Sequence, residues 1–106
     1  MPEFISVADV INSNKLTIID VRKAPGRQRS GLTMQGAVWR APFLAENWWK
    51  EFSGQEVVVF CVHGHEVSMA VAGFLNDQGI TARYLEGGFV AYREAGGAAE
   101  AINDYE

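Results

Sequence analysis

Residues 57–68 read VVVFCVHGHEVS and contain the only cysteine of the chain. The first four residues are apolar and three of them are β-branched, which is typical of a fully buried strand. Residues 69–75, MAVAGFL, are apolar at helical spacing, and Ser68 is a candidate for the residue that caps this helix. Cys61 therefore stands where a buried strand ends and a helix begins.

This position suits a nucleophilic sulfur. Backbone N–H groups at a helix start lack partners within the helix, and together with the helix dipole they favour a negative charge such as a thiolate. Ligands of open α/β sheets bind at the carboxyl ends of strands. The alternative is that Cys61 is a small buried apolar residue, which is the commonest role of a lone cysteine. The two histidines and the glycine in the following loop favour the chemical role.

The size and composition indicate one soluble globular domain. The 106 residues suffice for a single core, so we expect one domain over residues 1–106. From about residue 96 the chain is rich in glycine, alanine and acidic residues, and we expect a loosely docked helix or disorder there.

Charge and cysteine content exclude several classes of protein. The net charge of −4 argues against a nucleic-acid binder, and a single cysteine excludes an internal disulfide and a cysteine-based zinc cluster. The sequence has no leader pattern and no apolar run long enough to span a membrane. We therefore expect a cytoplasmic protein without membrane contacts, in a compartment that keeps its cysteine reduced.

Strand-like and helix-like segments alternate along the chain. The predicted strands are residues 4–5 at an edge, 16–21, a short one ending near 39, 57–60 and 81–85. The predicted helices follow Ser6, span 44–52 and about 67–78, and start at Phe89. This alternation predicts an α/β fold with a central, mainly parallel sheet of about five short strands and helices on both faces.

Two segments leave alternatives open. Residues 22–36 combine four basic residues with a proline and glycines that should interrupt regular structure, so the segment is either a solvated loop or a basic rim that attracts an anion. The basic residues are Arg22, Lys23, Arg27 and Arg29. In the helix predicted over 44–52, one of the adjacent tryptophans Trp48 and Trp49 should cover the core and the other should lie at the surface.

From about Phe4 to about Ala95 the chain resembles a rhodanese domain. The resemblance is carried by four segments in the order typical of that family. They are DVR (20–22), QGAV (35–38, with Gln35 in place of the family's proline), VVVFC (57–61) and LEGGFVAY (85–92).

The resemblance implies a sulfurtransferase in which the Cys61 thiolate takes a sulfur atom from thiosulfate or a similar donor and holds it as a persulfide. The implied partners are a small anionic sulfur donor and a thiol or cyanide acceptor, with a protein acceptor also possible, and no metal or organic cofactor is needed. Asp20 is implied to be a structural support that hydrogen-bonds to the active-site loop. The implied substrate-binding residues are Val62, His63, Gly64, His65, Glu66, Val67, Ser68 and Arg22.

The loop also departs from the family pattern Cys-x-x-Gly-x-Arg-Ser. It contains no arginine, and the segment from Cys61 to Gly79 is one residue longer, although the extra residue can equally lie in the helix. In the related phosphatases and arsenate reductases the longer loop carries an arginine that binds the oxyanion. Val67 stands at that place here, so Arg22, Arg27 or Arg29 would have to substitute.

The polar residues of the loop admit more than one role. His63 and His65 either favour the Cys61 thiolate and guide an anion, or are ordinary solvent-facing residues. Glu66 should point outward or pair with an arginine such as Arg22, because an inward carboxylate would repel an anion. Three hypotheses follow: a sulfurtransferase, a non-catalytic binding or sensor module, and, least favoured, an oxyanion enzyme of the phosphatase or arsenate reductase type.

Overall fold

The structure, a computed structural model, describes residues 2–102. Its centre is a sheet of five parallel strands in the order β1-β6-β5-β2-β4, which confirms the predicted parallel α/β fold. A second, two-stranded antiparallel sheet is formed by β3 and β7. The strands are β1 (Glu3–Ile5), β2 (Thr17–Asp20), β3 (Leu32–Met34), β4 (Val38–Trp39), β5 (Glu56–Phe60), β6 (Thr81–Leu85) and β7 (Ala99–Ala101).

Helices cover both faces of the central sheet, and β5 explains why. Val57 and Val59 face a core that includes α3 and α4, whereas Val58 and Phe60 face a core that includes α1 and α5. Since successive side chains of a strand point to opposite faces, a strand covered on both sides needs an unbroken apolar run. The helices are α1 (Val7–Ile11), α2 (Ala24–Ser30), α3 (Ala45–Trp48), α4 (Glu66–Asp77) and α5 (Gly88–Glu94).

The expectation that residues 22–36 lack regular structure is wrong, because Ala24–Ser30 forms the helix α2. The proline and glycine that we expected to interrupt structure instead mark its ends. Pro25 lies in the first turn, where its missing N–H costs no hydrogen bond, and Gly31 ends the helix with a left-handed φ of 70°. The helix is anchored by Arg27, whose guanidinium reaches the buried Asp20.

The end of the chain also differs from the expectation. Residues 99–101 form β7, paired with β3, in place of a loosely docked helix or disorder. Tyr92 stabilises the approach to this strand, since its hydroxyl donates a 2.7 Å hydrogen bond to the Ala98 carbonyl, and burial raises the pKa of Tyr92. Residues 103–106 of the expected tail lie outside the described residues.

The segment 44–52 is helical in three pieces, with 3₁₀ turns over Pro42–Leu44 and Trp49–Phe52 on either side of α3. The two tryptophans divide as expected. Trp48 is buried in the core and donates a hydrogen bond from its indole N–H to the Ala41 carbonyl, while Trp49 is only half-buried. Within residues 2–102, no helix is long and apolar enough to cross a membrane.

Candidate active site

Cys61 directly follows the central strand β5, and its side chain is almost entirely buried, at 7% exposure. Strands β2 and β5 are parallel neighbours, with Asp20 opposite Phe60 in the register. The polar ends of both strands therefore open at the same edge of the sheet, where the chain turns from β5 into α4.

The loop after Cys61 is held in place by the start of α5. The backbone N–H of Phe89 donates to the Cys61 carbonyl at 2.9 Å, and that of Val90 donates to the Val62 carbonyl at 3.1 Å. Two carbonyl oxygens that would otherwise repel an anion are thereby bound to N–H groups of α5.

Two glycines make this close approach possible. Gly64 has a φ of 74°, and a β-carbon there would lie 2.7 Å from the Gly87 nitrogen. A β-carbon on Gly88 would lie 2.5 Å from both the Gly64 nitrogen and the Val62 oxygen. The loop and the turn before α5 thus touch backbone to backbone, which explains why the chain has glycine on both sides of the contact.

Ser68 does not cap α4, contrary to the expectation, because the helix begins at Glu66 and its N-cap is His65. Ser68 instead lies in the first turn, fully buried, with its Oγ 3.1 Å from the Sγ of Cys61. The Cys61 thiol donates to this hydroxyl oxygen. His65 makes no side-chain capping hydrogen bond to the first turn of α4. A buried hydroxyl and a helix N-terminus therefore adjoin the sulfur.

Cys61 borders a cleft of about 570 Å³. One side of the cleft is the loop and the start of α4, and the other is the segment from the end of β2 into α2. Two exposed cations, Lys23 and Arg29, lie on this second side. The lining residues are Arg22, Lys23, Pro25, Gly26, Arg29, Cys61, Val62, His63, His65, Glu66 and Val67.

Asp20 is the centre of a buried polar cluster beside this cleft. Its carboxylate accepts hydrogen bonds from the Arg22 backbone N–H and guanidinium, from Arg27 and from the Thr33 hydroxyl, at 2.8–3.1 Å. Across the described residues these partners all belong to the segment 22–33. The implied hydrogen bonding of Asp20 to the Cys61 loop is therefore not what the structure shows, because the two arginines compensate its buried charge instead.

Arg22 connects this cluster to the loop indirectly. Its guanidinium also donates to the Leu32 carbonyl at 2.7 Å and stacks 4.5 Å from the ring centroid of Phe89, whose N–H holds the Cys61 carbonyl. Arg22 is 2% exposed and already paired with Asp20, so of the two alternatives for Glu66 the structure has the outward orientation and not the ion pair with Arg22. The substrate-binding role of Arg22 stays a prediction.

The remaining polar loop residues face solvent at the mouth of the cleft. His63 and His65 are exposed, with ring centroids 6.5 Å apart, and Glu66 is exposed at the start of α4. Over the described part of the chain, no cluster of three or more histidine, cysteine or acidic residues is arranged to hold a metal ion.

Comparison with known proteins identifies the family. The sequence pattern of the rhodanese-like domain matches residues 5–95. This chain belongs to the rhodanese-like domain family. Curated proteins give no match.

Solved structures show the same fold. A rhodanese-related protein from Thermoplasma volcanium is 24% identical with a TM-score of 0.82, over 92% of this chain and 97% of that one. A protein of unknown function from Rhodopseudomonas palustris, described as a possible tyrosine phosphatase, is 26% identical with a TM-score of 0.80, over 93% and 85%. A thiosulfate sulfurtransferase from Pseudomonas aeruginosa is 20% identical with a TM-score of 0.74, and this chain covers 20% of its length.

Within this rhodanese-like domain, α4 begins at Glu66, so the connection from β5 consists of residues 61–65 only. The position five residues after Cys61, an arginine in the family pattern, is the exposed Glu66 at the first helical position. The wall of the cleft next to Cys61 therefore carries the carboxylate of Glu66, and the exposed cations Lys23 and Arg29 lie on the opposite wall.

The sequence did not predict that Lys23 and Arg29 lie in the same cleft as Cys61. Their placement depends on helix α2, which follows Lys23 and contains Arg29. The available signal was the basic run 22–29, for which a rim around the site was one of two interpretations. The sequence also indicated no role for Gly88, although the glycine pair 87–88 was part of the family resemblance. The contact between Gly88 and Gly64 depends on how α5 packs against the loop, and no local sequence pattern predicts it.

Proposed function

We propose that this protein is a sulfurtransferase that carries a sulfane sulfur on Cys61. The observation that supports this most directly is the placement of a nearly buried cysteine beside a buried hydroxyl and a helix start, in a cleft with cations on its far side. Membership of the rhodanese-like domain family supports the same activity.

The first half-reaction is a transfer from thiosulfate or a similar anion. The Cys61 thiolate attacks the outer sulfur, the S–S bond of thiosulfate breaks, and sulfite leaves with the electron pair of that bond. Charge is conserved, because a thiolate and a dianion become a persulfide anion and a dianion. We place the anion near Lys23 and Arg29, whose positive charge raises its local concentration.

The buried surroundings of the sulfur stabilise both anionic forms of the cysteine. In our proposal the Ser68 hydroxyl donates a hydrogen bond to the thiolate and then to the persulfide anion, and the N–H groups at the start of α4 contribute the helix dipole. Binding of the Cys61 and Val62 carbonyls to α5 keeps oxygen lone pairs from opposing this effect. The near wall of the substrate site is formed by Val62, His63, His65, Glu66 and Val67, and the two histidines lie at its mouth.

In the second half-reaction a thiol or cyanide takes the outer sulfur and releases the Cys61 thiolate, which gives ping-pong kinetics. A cytoplasmic location is part of this proposal, since a reducing compartment keeps the single cysteine free for the cycle.

The oxyanion-enzyme hypothesis draws on the relative described as a possible tyrosine phosphatase. A phosphate-binding arginine would be needed after the cysteine, where this chain has Glu66 and Val67. Arg22 cannot readily replace it, because its guanidinium is already paired with Asp20. The binding-module hypothesis requires only the cleft and no turnover.

The deciding experiment is the intact mass of the full chain after incubation with thiosulfate, for the wild type and Cys61→Ser. We expect the wild type alone to gain one sulfur atom and to lose it on addition of cyanide. No gain at any donor concentration, with the fold intact by circular dichroism, would contradict the proposal. Hydrolysis of a chromogenic phosphate ester would then favour the oxyanion enzyme, and its absence would favour the binding module.

A further inference from the structure

A second cleft of about 420 Å³ adjoins the one at Cys61. The two clefts share three lining residues, Lys23, Glu66 and Val67, so they adjoin at the first turn of α4. The walls that belong to the second cleft, together with the shared valine, are mainly apolar. These apolar residues are Pro42, Phe43, Val67, Ala70, Val71 and Phe74.

Charge is distributed unequally along the combined cleft. The cleft at Cys61 has two exposed cations, Lys23 and Arg29, and one carboxylate, Glu66. The apolar cleft shares Lys23 and Glu66 and adds a second carboxylate, Glu46. A small anion is therefore attracted to the end that contains the sulfur. Two carboxylates disfavour an anion in the apolar part, and apolar walls gain free energy only by covering hydrocarbon.

Phe43 is placed to serve as one wall. Its ring is 73% exposed, unusual for a large aromatic side chain, and the ammonium of Lys23 lies 5.6 Å from its centroid. Lys23 therefore contacts both the apolar wall and the cysteine cleft. The first turn of α4 contributes Val67 from the opposite side.

We infer that this apolar cleft binds the hydrocarbon body of the sulfur acceptor, so that the preferred acceptor is a thiol on an uncharged chain of several carbons. The inference rests on the proposed sulfurtransferase function and specifies its second substrate. Donor and acceptor then occupy two adjoining clefts, and the reacting sulfur lies in the donor cleft.

The step assigned to this cleft is the transfer of the outer sulfur by a single nucleophilic displacement. The acceptor thiolate forms a bond to the outer sulfur of the Cys61 persulfide, the bond between that sulfur and Sγ breaks, and Cys61 leaves as the thiolate. The product is the persulfide of the acceptor. No oxidant, reductant or further co-reactant is required.

The test measures the discharge of preformed Cys61 persulfide by two thiols that differ only in chain length, 2-mercaptoethanol and 6-mercapto-1-hexanol. Rate constants are compared at equal thiolate concentration, so that differences in thiol acidity cancel. Each fully buried methylene is worth about fourfold in affinity. Because the cleft is open on one side, we expect a preference of about tenfold for the longer thiol.

Two variants and one matched control localise the preference. Phe43→Ala removes a wall and Ala70→Trp fills the cleft from an exposed helical position, and in both the ratio of the two rate constants should approach one. Leu44→Ala is the control, because Leu44 is 53% exposed beside Phe43 but does not line the cleft. It should keep the wild-type ratio.

The outcomes are distinguishable. If no persulfide forms from thiosulfate, the proposed function fails and the inference fails with it. If persulfide forms and both thiols discharge it equally, the function stands and the inference alone is overturned. A preference that survives both Phe43→Ala and Ala70→Trp would also overturn it, because the hydrocarbon would then bind elsewhere.

Discussion

The Sγ of Cys61 lies 3.1 Å from the Oγ of Ser68, a fully buried residue in the first turn of α4. A hydroxyl can accept from a thiol and donate to a thiolate, so this contact persists in both forms of the cysteine. A donor held in a buried place costs little reorganisation when the sulfur becomes negative. The first helical turn thus contributes both a dipole and a positioned side chain to the same atom.

Replacement of Ser68 by alanine should slow the reactions of the Cys61 thiolate. The lost hydrogen bond to a charged group corresponds to a decrease of about tenfold or more in rate. The measurement is the rate of alkylation by iodoacetamide at neutral pH, together with persulfide formation from thiosulfate.

The control for this change is Ser6→Ala, which removes the N-cap hydrogen bond that the Asp9 N–H donates to the Ser6 Oγ at the start of α1. That substitution should cost about 1 kcal/mol of stability and leave alkylation unchanged. Equal alkylation rates in Ser68→Ala and wild type would show that the 3.1 Å contact is only a packing contact.

A second prediction concerns the glycine contact behind the loop. Gly88→Ala and Gly36→Ala both place a β-carbon at positive φ, 65° and 83°, but only the first meets other backbone atoms, at 2.5 Å. Gly36→Ala should cost about 1–2 kcal/mol from backbone strain alone. Gly88→Ala should cost about 2 kcal/mol more, because the Cys61 loop must move.

Urea unfolding of both glycine variants measures this difference, and persulfide formation tests its consequence for the site. We expect Gly88→Ala to lose most of its transfer rate and Gly36→Ala to retain it. Equal stabilities would mean that the loop yields without cost and that the backbone contact does not position Cys61.

The strand, the cysteine loop and the following helix could be predicted because their signals are local. The apolar run 57–60 marks a strand buried on both faces, and the periodicity of 69–75 marks the helix that follows it. By contrast, β7 reads Ala-Glu-Ala and has no strand signal of its own. It is a strand because β3 offers it an edge, which is a property of the assembled fold.

The helix α2 was missed for a different physical reason. Pro25 and Gly31 mark helix ends when a helix is present and interrupt structure when none is. The seven residues Ala24–Ser30 are too few to form a stable helix alone. Its stability comes from Arg27 reaching the buried carboxylate of Asp20. For the same reason the sequence predicted the cysteine side of the cleft but left its basic side as one of two interpretations.

A third prediction addresses that basic side. Arg29→Gln should lower kcat/KM for thiosulfate by about threefold at low ionic strength, and the difference from wild type should disappear at high salt. Lys15→Gln is charge-matched, because it removes one exposed cation just before β2, at the opposite end of the strand from the cysteine edge. If both variants respond alike, net charge alone attracts the donor.

The last prediction concerns the buried cluster around Asp20. Asp20→Asn removes the negative charge that pairs with Arg22 at 2.8 Å and with Arg27 at 3.1 Å, and both arginines are less than a tenth exposed. Breaking a buried ion pair by removing one partner is costly, so we expect a loss of about 3 kcal/mol in unfolding free energy. Glu51→Gln provides the matched control, because its ion pair with Arg40 is similarly short, at 2.7 Å, but is exposed to solvent. This substitution should cost at most about 1 kcal/mol.

The Asp20 variant should also affect activity. Since Arg22 stacks on Phe89, whose N–H binds the Cys61 carbonyl, Asp20→Asn should lose transfer rate beyond what its unfolded fraction explains. Urea titration and persulfide formation on the same samples separate the two effects, and a stable variant with full transfer rate would show that the cluster supports neither the fold nor the loop.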